Sequence, residues 1–291
     1  MNVRQKGLFI CFAVYAVALI ASIIIAKHFV GMHQWAVVSI GHLVATLVVY
    51  IASYIYQNSS LYDPFWSVAP APIAIYIAFW PESGVINYEK IILVLLPVLF
   101  WSIRLTYNWA SKWEGLIEED FRYINLKKGS KLRINFIDFF GIHLFPTAQV
   151  NLSLLPIYYI LSKSSADIHW FLYCASVFTL LAVVLETVAD KQMKEFAKDP
   201  INRGTTMQKG LWKFSRHPNY FGEVSFWFGL FLMTLSLDDY PAWLFISPLS
   251  MYLMFALVTC KMMDNRSLEK RSDYADYMQK TSQLFLWPPS K

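Results

Sequence analysis

Apolar residues along this chain gather into blocks instead of alternating with polar ones. The blocks are Leu8–Ala26, Trp35–Tyr56, Trp66–Trp80, Ile91–Thr106, Phe136–Leu161, Trp170–Ala189, Tyr220–Leu237 and Ala242–Cys260. Most approach the roughly 20 residues that a helix needs to cross the hydrocarbon core of a bilayer. They predict an all-α integral membrane protein, one membrane domain over residues 1–291 with about seven or eight transmembrane helices. Trp66–Trp80 is short and holds Pro70 and Pro72, which predicts a break or partial insertion. Leu8–Ala26 follows Arg4 and Lys6 as a signal peptide would. Its apolar run is longer than a signal-peptide core, so it reads as a retained first helix.

The polar sequence lies in a few places. Lys112–Asn135, Lys191–Asn219 and the tail Met262–Lys291 are long, whereas Lys27–Gln34, Pro81–Lys90, Ser162–His169 and Asp238–Pro241 are short. An eight-helix topology puts the long segments and both termini on one side, with 22 of the 25 Lys and Arg residues. Only Lys27, Lys90 and Lys163 fall on the other side. The positive-inside rule makes the basic side cytoplasmic. A seven-helix topology moves only Arg4 and Lys6. The net charge of +5 then reflects orientation and phosphate binding, and nucleic acid is not implied. At 56% hydrophobic and 15% charged, the chain lacks the polar surface of a soluble domain, which carries roughly 25% charge.

Several chemistries are excluded by pattern. There is no G-x-G-x-x-G, no G-x-x-x-x-G-K-[ST] and no G-x-S-x-G. No two histidines stand at HxxH or HxxxH spacing, so no metal is expected. Cys11, Cys174 and Cys260 lie in apolar segments without CxxC spacing and read as small buried hydrophobes. His42, alone in its segment, reads as a helix–helix hydrogen-bonding residue more readily than as a ligand. Phe136–Leu161 carries Asp138, His143, Pro146, Gln149, Asn151 and Pro156. It either kinks around a polar cavity or pairs these groups with neighbouring helices.

Three clusters remain as candidate sites. In Gly210–Glu223, a cationic loop meets a helix that Pro218 begins, a geometry suited to an anion. Asn219 and Glu223 are i,i+4 and share a face, with Tyr220 beside them, while Lys213 and Arg216 supply positive charge. Glu186 and Asp190 form a second i,i+4 pair at a helix C-terminus, where acids oppose the dipole and call for a partner such as Arg216 or a ligand hydroxyl. The third cluster runs from Arg104 through Glu114 to Tyr123, with Asp63-Pro64-Phe65-Trp66-Ser67 on the same side.

These residues carry a resemblance. DPFWS at 63–67, RLTYNWxxKWEG at 104–115, EDFRY at 119–123, ETVAD at 186–190, GLWKFSRHPNYFGE at 210–223 and the tail from Tyr274 and Tyr277 to Trp287-Pro288-Pro289 resemble an uncharacterised branch of the steroid 5-alpha-reductase and sterol reductase superfamily. The resemblance implies a cytoplasm-facing pocket for NADPH and reduction of a conjugated C=C bond in a lipophilic substrate of steroid, sterol or isoprenoid type. It implies cofactor contacts from Arg104, Arg122, Glu186, Asp190, Lys213, Arg216, His217, Asn219, Tyr220, Glu223, Tyr274 and Tyr277, in a cofactor-binding half at about 104–291. Tyr107 and Asp63 are the candidates for the acid and its supporting group. Where this chain has Arg216-His217-Pro218, steroid reductases carry Ser-Gly-Ala; sterol reductases keep Arg-His-Pro. Isoprenylcysteine carboxyl methyltransferases also use R-H-P-x-Y-x-G, for S-adenosylmethionine, which leaves a membrane methyltransferase as the alternative. A non-catalytic lipid-binding protein is the third reading. Partners are membrane lipids and the lipophilic substrate.

Overall fold

The computed structural model describes residues 1–29, 31–163 and 167–290. Ser164, Ser165 and Ala166 of the short connection, and Lys291 of the basic tail, lie outside the described residues. Every regular element among the described residues is helical. We number the principal ones α1 Val3–Lys27, α2 Gln34–Tyr56, α3 Pro70–Phe79, α4 Tyr88–Lys112, α5 Lys131–Ser162, α6 Trp170–Lys198, α7 Pro218–Thr234, α8 Ala242–Lys270 and α9 Tyr274–Lys280, with short helical turns such as Phe121–Leu126 between them. Six of them, α1, α2, α4, α5, α6 and α8, are long and apolar enough to cross a membrane. The two other expected spans are shorter. The 17 residues of α7 and the segment containing α3 fall below that length. Pro70 and Pro72 cannot donate to the preceding turn, so that segment starts as a separate turn, Phe65–Val68, before α3 begins. Exposed Phe9, Phe12, Ile20, Ile92, Ile103 and Leu181 give α1, α4 and α6 an apolar outer surface. This is a membrane protein whose helices contact lipid.

The chain forms two compact units, Met1–Ala166 and Asp167–Lys291. In the first unit, α1 and α2 pair closely, and the Ser22 hydroxyl of α1 donates to the Gly41 carbonyl of α2 at 2.7 Å. Arg4 donates to the Ala110 carbonyl at 2.7 Å, which puts the start of α1 beside the end of α4. Gln34, at the start of α2, donates to the Trp80 carbonyl just beyond α3. The segment from Phe65 to Phe79 thus runs beside the first half of α2, from His42, whose ring lies 5.8 Å from that of Phe65, towards Gln34.

Polar pairs staple α2 to α5, which decides between the two readings of the polar helix for the residues concerned. His143 Nε2 lies 3.0 Å from Ser53 Oγ, Thr147 Oγ1 lies 2.8 Å from Thr46 Oγ1, and Asn151 Oδ1 lies 3.2 Å from Ser39 Oγ. Pro146 has no N–H, and the turns before it, Ile137–Leu144, are π-helical. Two expectations need correction. Both ring nitrogens of His42 are buried without a hydrogen-bond partner among the described residues, so it does not tie helices together. Cys11 and Cys260 are buried as expected, but Cys174 is exposed, on the part of α6 that its own unit leaves uncovered.

In the second unit, α6 and α7 are packed along their length. A Cβ on Gly222 would sit 2.4 Å from Glu186 Cγ and 3.0 Å from the Ala182 carbonyl. One on Gly229 would sit 2.3 Å from Thr179 Oγ1. Two glycines seven residues apart therefore open the groove that lets the backbones approach.

Candidate functional site

The Gly210–Glu223 segment folds as a short turn, Gly210–Lys213, followed by α7. Gly210 takes φ +60, and a Cβ there would meet the Gln192 side chain at 2.6 Å. Gln192 uses that closeness to accept from Leu211 N at 2.9 Å. Trp212 turns inward and donates its Nε1 to the Ala189 carbonyl at 3.0 Å. The turn is thereby fixed on the end of α6, and Pro218 starts α7 directly beyond it.

Arg216 and His217 do not face outward. Arg216 Nη2 donates to Asp264 Oδ2 at 2.9 Å, and Nη1 donates to the Met278 and Thr281 carbonyls, each at 3.0 Å. His217 Nε2 lies 2.8 Å from Asp264 Oδ1, and the ring stacks on Tyr220 at 5.4 Å. The Tyr274 hydroxyl also donates to Asp264. Tyr277 donates to the Trp212 and Ser215 carbonyls. The Ser215 hydroxyl donates to the Leu284 carbonyl at 2.8 Å. One carboxylate thus gathers an arginine, a histidine and a tyrosine, and the tail is laced onto the start of α7. The basic partner expected for Glu186 and Asp190 is taken by Asp264 instead. The reason is tertiary: α8 runs back beside α7 and delivers Asp264 to its first turn. Asp264 went unnoticed in the sequence. The available signal was an acid next to Met262 and Met263, ten residues before Tyr274.

Four of the other predicted residues, Asn219, Glu223, Glu186 and Asp190, lie about the first turns of α7. Asn219 Nδ2 lies 3.4 Å from Asp190 Oδ1, while its Oδ1 is buried without a partner. Glu223 is buried and accepts from Trp227 Nε1 at 2.8 Å. Glu186 is buried one turn before Asp190 on α6. Lys213 is exposed, its Nζ 5.9 Å from the Phe214 ring.

In the first unit, Asp63 meets the segment that carries Arg122 and Tyr123. Its Oδ1 accepts from the Tyr123 hydroxyl at 2.6 Å and from Arg122 Nη2 at 3.2 Å. Arg122 also gives Nε and Nη2 to Asp120 at 2.8 and 3.1 Å. Alongside, Lys127 donates to Glu119 and Ser59, and Ser59 donates to Asp138 Oδ1 at 2.5 Å. The tyrosine that meets Asp63 is therefore Tyr123, a residue of the EDFRY landmark. Tyr107 is 72% exposed on α4. Arg104 is half-buried on the same helix. Among the described residues no group of His, Cys, Asp and Glu is arranged to hold a metal.

Burial pushes the Asp63 carboxyl up from 3.8 to about 6, against the pull of Arg122 and Tyr123. Two carboxylates share one guanidinium, and Asp120 has the better part of it. An acid whose value is raised on folding stabilises the fold fully below its unfolded value. That stability is lost as pH rises from about 4 to about 6. The shift corresponds to about 3 kcal/mol. Chemical unfolding of the detergent-solubilised protein should show the wild type losing ground to Asp63→Asn by roughly that amount between pH 4 and pH 7. A constant gap between the two proteins would show that Asp63 ionises freely.

A family model described as "Protein of unknown function (DUF1295)" matches residues 49–281, which takes in both polar clusters. An uncharacterized protein of Schizosaccharomyces pombe is 23% identical over 252 residues, covering 79% of this chain and 73% of its own length. No solved structure matches.

Proposed function

We propose that this chain, which belongs to the family described as protein of unknown function (DUF1295), is a membrane reductase of steroid 5-alpha-reductase type. It uses NADPH on a conjugated C=C bond of a lipophilic substrate. The observation that carries the reading is Asn219. Its buried amide oxygen has no partner, beside the Asp190 carboxylate and at the first turn of a helix. A buried acceptor left unmade is costly, and a bound group with N–H or O–H donors would satisfy it. The amide and hydroxyl groups of a nicotinamide nucleotide have that chemistry. The sequence resemblance, which runs through Asn219, Glu223 and Asp190, supports the same assignment.

NADPH, when bound, supplies the hydride. The chain's own residues do the rest. Asn219, Asp190, Glu186 and Glu223 hold polar groups of the cofactor. Asp264 keeps Arg216 and His217 in place, so these two shape the site and do not take the phosphates themselves. Phosphate charge falls to exposed Lys213 and the amides that start α7. In the first unit, Asp63 keeps its proton up to about pH 6. With Tyr123 in contact, it is suited to hold and return a proton. Tyr107, the other candidate, would act from an exposed position. The basic end of the first unit, with Arg4, Lys112 and Lys127, faces the cytoplasm by the positive-inside rule.

A second reading has an observation of its own. Arg216 and Arg122 are each committed to a carboxylate. Fewer free cations suit the less anionic S-adenosylmethionine, and hence a membrane methyltransferase. Thermal unfolding of the purified protein decides between them. NADPH at about 100 times its Kd should stabilise by about 2.7 kcal/mol, and S-adenosylmethionine should do nothing. The reverse result would replace the reductase with the methyltransferase. Stabilisation by neither nucleotide would favour a lipid-binding protein without catalysis.

A further inference from the structure

Two buried polar groups of the first unit serve none of the arrangements above. His42, in the middle of α2, is 3% exposed, and neither ring nitrogen has a partner. Asn151, on α5, is held at one end only. Ser39 Oγ lies 3.2 Å from its Oδ1, while its Nδ2 is buried without a partner. The Ser39 proton already goes to the Trp35 carbonyl at 2.8 Å. Whichever way the amide is turned, one end meets Ser39 and the other end stays unused.

The two groups stand near one another on facing helices. Ser39 and His42 are i,i+3 on α2 and share a face. One turn beyond His42, Thr46 meets Thr147 at 2.8 Å, and Thr147 is i,i+4 from Asn151 on α5. His42 thus lies between two successive contacts of the same helix pair. The Phe65 ring, 5.8 Å from the imidazole, closes one side.

Helix association does not need these atoms. Thr46–Thr147 and Ser53–His143 already tie α2 to α5, and an apolar side chain at position 42 would pack without leaving donors unmade. Polar groups at membrane depth are expensive and mark ligand or ion pathways. A neutral imidazole offers one donor and one acceptor, and an amide end offers one or the other. One ring nitrogen together with the amide end matches one oxygen atom, of a carbonyl or of a hydroxyl.

We propose that His42 and Asn151 form the site for a single oxygen of a lipophilic molecule that enters the first unit from the bilayer. The proposal leans on the reductase reading only in equating that oxygen with the carbonyl of the conjugated substrate.

The test uses the full chain in detergent without nucleotide. The probes are a 4-ene-3-ketosteroid and farnesal, the matching 3-hydroxysteroid and farnesol, and hydrocarbons lacking the oxygen. Wild-type protein should bind an oxygenated probe at least about tenfold more tightly than its hydrocarbon, as one buried hydrogen bond gives. The ketone and alcohol arms tell carbonyl from hydroxyl. His42→Phe and Asn151→Leu should melt at or above the wild-type temperature and lose that tenfold preference. The ring-nitrogen NMR signals of His42 in the wild type should move with the oxygenated probe and stay put with the hydrocarbon. Variants that keep the preference, or a His42 signal blind to every oxygenated probe, would overturn the site. Variants that fail to fold would show the two groups to be structural and overturn it equally. NADPH stabilisation of the wild type is read separately, so failure of the reductase reading leaves this result standing.

Discussion

Asp264→Ala should destabilise the second unit by about 3–5 kcal/mol, the usual effect of removing one partner from a buried ion pair. Asp264 is 3% exposed. Its two oxygens receive Arg216, His217 and Tyr274. Without it, a guanidinium remains in a protein interior with only the carbonyls of Met278 and Thr281 for company. The tail would lose its anchor, since Tyr274 begins α9 and Arg216 reaches the carbonyls at the end of that helix. Asp264→Asn keeps an acceptor but gives up the charge, so it should fall between alanine and wild type. Thermal unfolding in detergent checks the order, and protease cutting of the tail checks the location. A wild-type melting curve for Asp264→Ala would mean that the carboxylate does not organise this end of the unit. Arg216→Gln should behave like Asp264→Ala, not like the loss of a phosphate ligand. It should destabilise with or without NADPH.

Asn219→Ala should leave the fold intact and weaken NADPH binding about 10- to 150-fold, the range that corresponds to about 1.5–3 kcal/mol for a buried hydrogen bond to a charged or strongly polar group. The contrast with Asp264 comes from their surroundings. Asn219 has one long contact, 3.4 Å to Asp190, and an amide oxygen with nothing to lose within the protein. Removing it relieves an unmade acceptor, so the apoprotein should melt no lower than the wild type. Glu223→Ala should lower affinity as well, but at some cost in stability, because Trp227 Nε1 would lose its acceptor. Titration of the purified variants reads both effects. Unchanged NADPH affinity in Asn219→Ala would remove the residue from the site and, with it, the main support for the cofactor assignment.

How much of this was written along the chain depends on the range of the forces involved. Hydrophobic runs against a fixed bilayer thickness determine helices locally, so the all-helical membrane architecture and the weakness of the Pro70 and Pro72 segment follow from the sequence alone. So do the local geometries at Pro218 and the shared face of Asn219 and Glu223, because helical spacing decides them within one turn. Partner choice is different, since a buried charge takes whichever opposite charge the tertiary packing brings within about 3 Å. Spacing offered Glu186 or Asp190 as the acid for Arg216, but packing of α8 along α7 supplied Asp264, 48 residues away. The reading that followed the resemblance paired Tyr107 with Asp63, and the short helix Phe121–Leu126 after α4 delivered Tyr123. His42 was expected to bond a neighbouring helix. Only the register of α2 against α5 leaves it between two contacts with both nitrogens unused, because interhelical register is set by the sum of all side chains in the seam and by no single one of them.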